Sequence, residues 1–244
     1  MANFPAPPSP RTRVRRLPER GAYDRDTVYA ILDAAFLCHV GFCSEQGPVV
    51  IPTAYGRRGD LVFLHGSAAS HMLRSLERGV EVCLTVTLLD GLVLARSVFH
   101  HSMNYRSVMV FGRAEVVSEE AAKLAALEVI TNQIAPGRWS EARPPDAREL
   151  KATLVLALPL QEASAKIRTG PPKDEAADYG LPVWAGVIPA RTQFAAPEPD
   201  PRLPAGIPAS ASALSRTSPR WQAARRTGSG RRAGTGALPR SRRK

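Results

Sequence analysis

Residues 60–74 constrain the fold more than any other stretch, because a strand pattern passes there into a helix pattern through a loop of small residues. Leu61, Val62, Phe63 and Leu64 form a short apolar run after the Gly59-Asp60 turn signal. Ser70 is a good N-cap, Met72, Leu73 and Leu76 mark a buried helical face, and Gly79 marks a stop. Between strand and helix lies His65-Gly66-Ser67-Ala68-Ala69. Small side chains let a ligand approach the backbone there, and the first-turn amides of a helix lack partners within it. Those amides and the helix dipole favour an anion, typically a phosphate, to which the serine hydroxyls, His71 or Arg74 can add donors. Most such junctions bind nothing. This one is neither a Walker loop, since no Gly-Lys-Ser/Thr follows, nor a dinucleotide fingerprint.

The flanking sequence places this junction in a mainly β domain. A helix is expected at 26–37, capped by Asp26, with Val28, Ile31, Leu32, Ala35 and Phe36 at helical spacing. Strands are expected at 39–43 and 49–55, with the Gln46-Gly47 turn between them; with 61–64 they make an antiparallel meander. Residues 80–88 are a β-prone run followed by Asp90-Gly91, and 92–95 read as a short further strand or the lip of a loop. Residues 105–117 read as a long strand in which Gly112 signals a bulge. A helix capped by Ser118 follows, with Leu124, Leu127, Ile130 and Ile134 as its buried stripe. Residues 146–151 read as a helical turn, 153–158 as a strand and 166–168 as a short extended piece. Six or so strands with few helices point to a closed or split β-barrel with helices packed outside.

Charge separates the ends from the body. Residues 1–20 hold five Arg, five Pro and one Glu, and residues 211–244 hold nine Arg, one Lys and no acid. The middle, 21–210, carries 18 basic and 21 acidic residues, so the pI near 10.3 belongs to the ends and does not argue for a nucleic-acid-binding fold. The expected organisation is a disordered basic Pro-rich arm at 1–20, a domain at 21–194, a trailing segment at 195–210 and a disordered basic tail at 211–244. The tail could engage nucleic acid or an anionic surface by counterion release; a solvating extension with no dedicated partner is the plainer alternative. Cys38, Cys43 and Cys83 form neither a disulfide framework nor a zinc site and suit a reducing cytoplasm. No signal-peptide pattern or membrane-spanning run is visible. No metal site, Ser-His-Asp arrangement or paired carboxylate is readable either.

Taken together, Ile51-Pro52-Thr53-Ala54-Tyr55, Leu64-His65-Gly66-Ser67 with Ser70, and His100 to Val108 with Gly112 resemble the pyridoxamine 5′-phosphate oxidase-like FMN-binding split barrels. The branch is that of the flavin-nucleotide-binding proteins that include the 5-nitroimidazole resistance proteins. Residues 165–172 and 182–189 match more weakly, and the likeness covers about residues 20–208. The resemblance implies a homodimer with FMN at the subunit interface, and it places the phosphate against His65, Gly66, Ser67 and Ser70. His71 stands where relatives often carry Arg or Lys, which would weaken phosphate binding or make it pH-dependent. It further implies Asn104, Tyr105, Arg106 and Ser107 near the flavin ring, with Pro52, Thr53, Ala54 and Tyr55 facing it. Lys166, Arg168 and Trp184 would reach it from the second subunit. Tyr105 and Trp184 could equally be core aromatics. His100 and His101 could be solvated or approach a haem iron. Haem and a deazaflavin remain alternatives to FMN. The implied activity is that of a flavin-dependent oxidoreductase acting on an unidentified small molecule. Its rival is a non-catalytic flavin carrier or sensor.

Overall fold

The computed structural model describes residues 6–217. The strands in chain order are β1 (Gly21–Ala22), β2 (Leu37–Ser44), β3 (Gly47–Arg58), β4 (Leu61–Ser67), β5 (Glu81–Leu94), β6 (Ser102–Arg113), β7 (Glu115–Val116), β8 (Thr153–Pro159), β9 (Glu162–Arg168) and β10 (Gly186–Pro189). The helices are α1 (Arg25–Asp33), α2 (His71–Glu77), α3 (Glu120–Ile134), α4 (Arg138–Glu141), α5 (Ala147–Ala152) and α6 (Ala211–Thr217). All strand pairs are antiparallel, in the order β1-β9-β6-β5-β2-β3-β4-β8-β7, with β10 added to β5. The split-barrel expectation holds.

β3 joins the two halves of the sheet. Its residues 47–54 pair with β2, and its residues 55–58 pair with β4. The inner faces of both halves close over one core, in which Leu32, Val40, Tyr55, Leu64, Leu84 and Leu156 are fully buried. A second, smaller cluster lies outside the sheet, where Ala126 and Ile130 of α3 meet Phe63, Val155 and Ala157. Gly56 makes this contact possible. A Cβ there would lie 2.7 Å from the backbone N and Cα of Ile130, so α3 can settle on β3 only where the side chain is absent.

Several local expectations change. Asp24, not Asp26, caps α1, accepting from the Thr27 amide at 2.8 Å. Glu119, not Ser118, caps α3 by accepting from the Ala121 and Ala122 amides. The α3 stripe is partial, since Ile134 is exposed and Leu124 and Leu127 are half-buried. Residues 81–94 form one strand rather than two. The irregularity falls between Leu89 and Gly91, while Gly112 stays in regular register opposite Val82. β5 can run on because each half finds a partner on its second edge: β2 against 82–85 and β10 against 91–94.

Both ends of the described chain are more anchored than their composition suggests. Thr12 is 2% exposed, its hydroxyl donates to Ser9 O at 2.8 Å, and the Val14 amide donates to the Tyr23 hydroxyl at 2.9 Å. Arg11 bridges Glu81 and Glu162 and lies over the Phe111 ring. At the other end, residues 211–217, read as disordered, form α6. Glu141 accepts from the amide and hydroxyl of the buried Ser212, and Arg216 donates to Gln133 O and covers the Phe36 ring. Residues 218–244 of the basic tail lie outside the described residues. Among the described residues no helix is long and apolar enough to cross a membrane.

Gly56→Ala should destabilise the fold by about 1–3 kcal/mol, the usual cost of forcing atoms into a packed contact. Urea unfolding measures it, and an unchanged midpoint would refute the close approach of α3 to β3.

Candidate functional site

The β4–α2 junction forms as its sequence suggests. Ser70 caps α2, its Oγ accepting from the Leu73 amide at 3.4 Å. Ser67 Oγ accepts from the Ala69 amide at 3.1 Å, and Ala68 N donates to Ala152 O of α5 at 2.9 Å. The first-turn amides of His71 and Met72 have no acceptor within the helix. Arg74 curls back along α2, its Nε donating to Ala68 O at 2.9 Å, which sets a guanidinium beside the same loop. Ser67 and His71 are exposed. The serine hydroxyls already accept from backbone, yet each keeps its O–H to give. At Gly66 a Cβ would come to 3.0 Å from Leu73 Cδ1, a tight contact that a shift of the leucine side chain would have to relieve.

His65 is the anomaly of this end. It sits on β4 opposite Val155, and its Nδ1 is buried without a hydrogen-bond partner. Burial lowers its pKa below the ordinary 6.5, so the ring is neutral at pH 7. Buried polar atoms are normally paired. A neutral imidazole with an orphan nitrogen is the state in which histidine binds a metal or donates to a ligand.

A second group gathers where β6 begins and β9 ends. Arg168, 7% exposed, donates to Asn104 Oδ1 and, more weakly, to Gly170 O and Pro171 O, while Asn104 Nδ2 donates to Gly170 O at 3.1 Å. Burial lowers the Arg168 pKa, and the nearby Arg20 lowers it further. Arg106 is held by Asp90 in a two-pronged ion pair at 2.9 and 2.8 Å, at the β5 irregularity. Tyr105 stands opposite Arg168, and Ser107 opposite Lys166, whose carbonyl accepts from Ser107 Oγ at 3.3 Å. Trp184 is 66% exposed just ahead of β10 and is not a core aromatic.

The structure does not bring all the expected residues to one place. Tyr55 is fully buried and its hydroxyl donates to Leu32 O, so it belongs to the core and cannot face a flavin. Pro52, Thr53 and Ala54 pair with His39, Cys38 and Leu37 in mid-sheet. His71 contacts Phe42, whose β5 partner is Val82, whereas Tyr105 pairs with Leu89. The two groups are therefore about 20 Å apart along β5 at the usual strand rise.

The sequence reading passed over two acids. Asp90, read as a turn, anchors Arg106; the signal was an acid in the one break of a β-prone run. Asp174, in the 170–190 segment, has a fully buried side chain that accepts from the Arg96 and Ser97 amides at 2.9 and 3.2 Å and pairs with the Arg96 guanidinium. Burial alone would raise its pKa, but the hydrogen bonds from Ser97 and Arg96 prevail and lower it. Asp174 thereby braces the turn carrying Val98, Phe99, His100 and His101. In that turn His101 Nδ1 lies 3.1 Å from Ser97 O, and His100 lies 3.7 Å from Glu175. Among the described residues no group of three or more His, Cys, Asp or Glu is placed to hold a metal ion.

An antiparallel sheet handed over along one strand, with helices outside, makes this chain a split barrel of the FMN-binding type. A family model described as pyridoxamine 5′-phosphate oxidase matches residues 24–167, and the chain belongs to that family. It is similar to the flavocytochrome Anf3 of Azotobacter vinelandii, at 48% identity over 87% of this chain and 99% of that one, with a TM-score of 0.83. It is also similar to an FAD- and haem-binding protein of Mycobacterium smegmatis, at 38% identity over 81% and 97% of the two chains, with a TM-score of 0.78. A Bacteroides thetaiotaomicron protein described in connection with 5-nitroimidazole antibiotic resistance shares the fold at 24% identity over 60% of this chain and 86% of that one, with a TM-score of 0.52. No curated protein matches the chain.

The burial of His65 has a pH consequence. Its folded-state pKa is depressed, so the stability that its neutral form contributes is complete above the unfolded pKa near 6.5 and is lost as pH falls through the lower folded pKa. His65→Asn should flatten that part of the acid limb in denaturant titrations. An NMR titration placing the His65 pKa at or above 6.5 would contradict the burial argument.

Proposed function

We propose that this protein binds a flavin nucleotide and a haem and passes electrons between them and a small molecule. One observation carries the reading: two relatives, 48% and 38% identical and matched over nearly their whole length, are described as a flavocytochrome and as an FAD- and haem-binding protein. The β4–α2 junction fits a flavin phosphate. It offers the His71 and Met72 amides, the Ser67 and Ser70 hydroxyls and the Arg74 guanidinium around one exposed loop. The phosphate chemistry is the same in FMN and FAD, so the nature of the flavin is decided by what the protein releases. Haem needs a neutral imidazole, and His65 fits through its buried, unpartnered nitrogen. His101 is a second candidate, because its Nδ1 contact with Ser97 O orients the ring and leaves Nε2 outward.

When bound, a flavin supplies hydride and single-electron chemistry and a haem single-electron chemistry, while the protein supplies position and electrostatics. For a flavin ring, this chain offers Tyr105, Ser107 and Lys166 on the outer face of the sheet. Arg168, opposite Tyr105 and held by Asn104, acts as a fixed positive charge there, while Arg106, held by Asp90, lies on the other face of the sheet. Since the phosphate loop and this ring-side group stand well apart along β5 in one chain, a second copy is needed to bring them together, which supports the homodimer. Nothing in the arrangement favours pyridoxamine-phosphate oxidation over other flavin chemistry. A carrier or sensor differs from an enzyme only in lacking turnover.

The test is the visible spectrum of the purified protein, followed by identification of what denaturation releases. A flavin envelope under a Soret band supports the reading; a colourless protein that also fails to take up FMN, FAD or haemin removes it. Ser67→Ala with Ser70→Ala should lower flavin content several-fold, and unchanged content would reject the phosphate loop. His65→Ala should abolish the Soret band and leave the flavin. Loss of flavin with haem retained would reassign His65 to the flavin site.

A further inference from the structure

Two surface features of this chain are complementary and are unfilled in a single copy. The first is a knob. Between β5 and β6 the chain turns through Val98 and Phe99, which are 87% and 86% exposed. The knob is held firmly. Asp174 accepts from two of its amides, the Arg96 guanidinium pairs with Asp174 and covers the Tyr179 ring, and Ser97 Oγ accepts from the Phe99 amide. A pair of large apolar side chains fixed in water costs free energy unless something covers them.

The second is a clasp. Residues 7–18 curve around an open concavity of about 660 Å³, lined by Pro7, Pro8, Pro10, Pro18 and Val14 with Arg13 and Arg15. Prolines make its wall stiff. Leu17 closes the loop in the left-handed region, at φ 57, a conformation a branched residue adopts only when its surroundings impose it.

Charge matches shape. Residues 7–18 carry four Arg and no acid, and among the described residues Arg13 and Arg15 have no ion-pair partner. Of residues 173–178, which brace the knob, Asp174 is buried and taken up by Arg96, which leaves Glu175 and Asp178 against Lys173, and the Glu175 side chain is 80% exposed. One chain does not join its own two features. Arg11 ties the clasp to Glu81, the first residue of β5, while the knob follows Leu94, the last. A straight strand of that length spans roughly 40 Å, and even the Val14 part of the clasp, beside Gly21 and so level with Lys166, Ser107 and Thr87, stands about 20 Å short of Leu94. Two-fold packing of one copy against another in opposite directions brings the start of one β5 to the end of the other. It makes the same contact twice, as a closed symmetric pair requires.

We propose that each Val98–Phe99 knob seats in the proline-lined clasp of a second copy of this chain. The inference rests on the dimer argued above and goes further, naming the elements that lock it. It also assigns the arm at residues 7–18 a part in assembly.

The test is site-directed cross-linking in a Cys43→Ser, Cys83→Ser background of the full chain. Pro10→Cys and Phe99→Cys are made separately, mixed as purified proteins, and treated with a short bismaleimide. Both positions are exposed, so folding is not at stake. The expected result is a covalent dimer at least fivefold more abundant in the mixture than in either single variant. Independently, Phe99→Asp should weaken the wild-type dimer at least tenfold by sedimentation velocity. A wild-type dimer with no enhanced cross-link and no effect of Phe99→Asp would overturn the knob-and-clasp contact and leave the dimer standing. A wild-type protein that sediments as a monomer with its flavin bound would overturn both.

Discussion

The structure depends on the handover along β3. Between Ala54 and Tyr55 this strand exchanges β2 for β4, so a single chain of hydrogen bonds crosses from one half-sheet to the other. The crossing point is fastened three times. Tyr55 N donates to Phe36 O, Tyr55 OH donates to Leu32 O at the end of α1, and the ring is fully buried among the core aliphatics. One residue later Gly56 lets α3 lie on the strand. A buried hydroxyl left unpaired costs free energy, so the bond to Leu32 O is what lets a tyrosine fill this position. From this fixed point β4 leads to the proposed phosphate loop on one side, and β2 and β5 lead to the proposed ring-side group on the other.

This architecture explains why the motif Pro52-Thr53-Ala54-Tyr55 invited a misreading. Successive residues of a strand point to opposite faces, so four in a row cannot all look at one flavin. Recognising the motif showed where the strand lies but not which way it faces, and Tyr55 went to the core. The β4–α2 junction was legible because its signals are local: a cap, a small-residue loop and an apolar helix face. Asp90 was not legible because Asp-Gly signals a turn and a bulge alike. Only the arrival of β10 on the second edge of β5 settles which one forms, and that strand lies about a hundred residues further on in sequence.

Composition misled at both ends for a related reason. Proline and arginine in residues 1–20 and alanine, serine and arginine in residues 211–217 read as solvated chain, because few apolar residues are there to bury. Single polar residues hold these segments instead. Thr12 closes a turn with Ser9, Arg11 spans two glutamates, and Glu141 caps α6 from another helix. Contacts of this kind depend on the partner, not on the segment, and no local pattern announces them.

The charge distribution follows the same logic down to the site. Arg57 is clamped by Asp33 and Arg106 by Asp90, each a planar fork meeting a carboxylate, and Arg96 reaches Asp174 through one guanidinium nitrogen and its own amide. In Arg168 the guanidinium is buried against carbonyls and an amide, and among the described residues it meets no carboxylate. A buried cation that meets only dipoles stays uncompensated. That leaves the β6–β9 end of the barrel electropositive at the residues where a reduced, anionic flavin ring would gain most from it. The ring-side reading of Tyr105, Ser107 and Lys166 thus gains an electrostatic reason independent of any sequence likeness: the fold holds a positive charge beneath that face and leaves its neutralisation to something bound there.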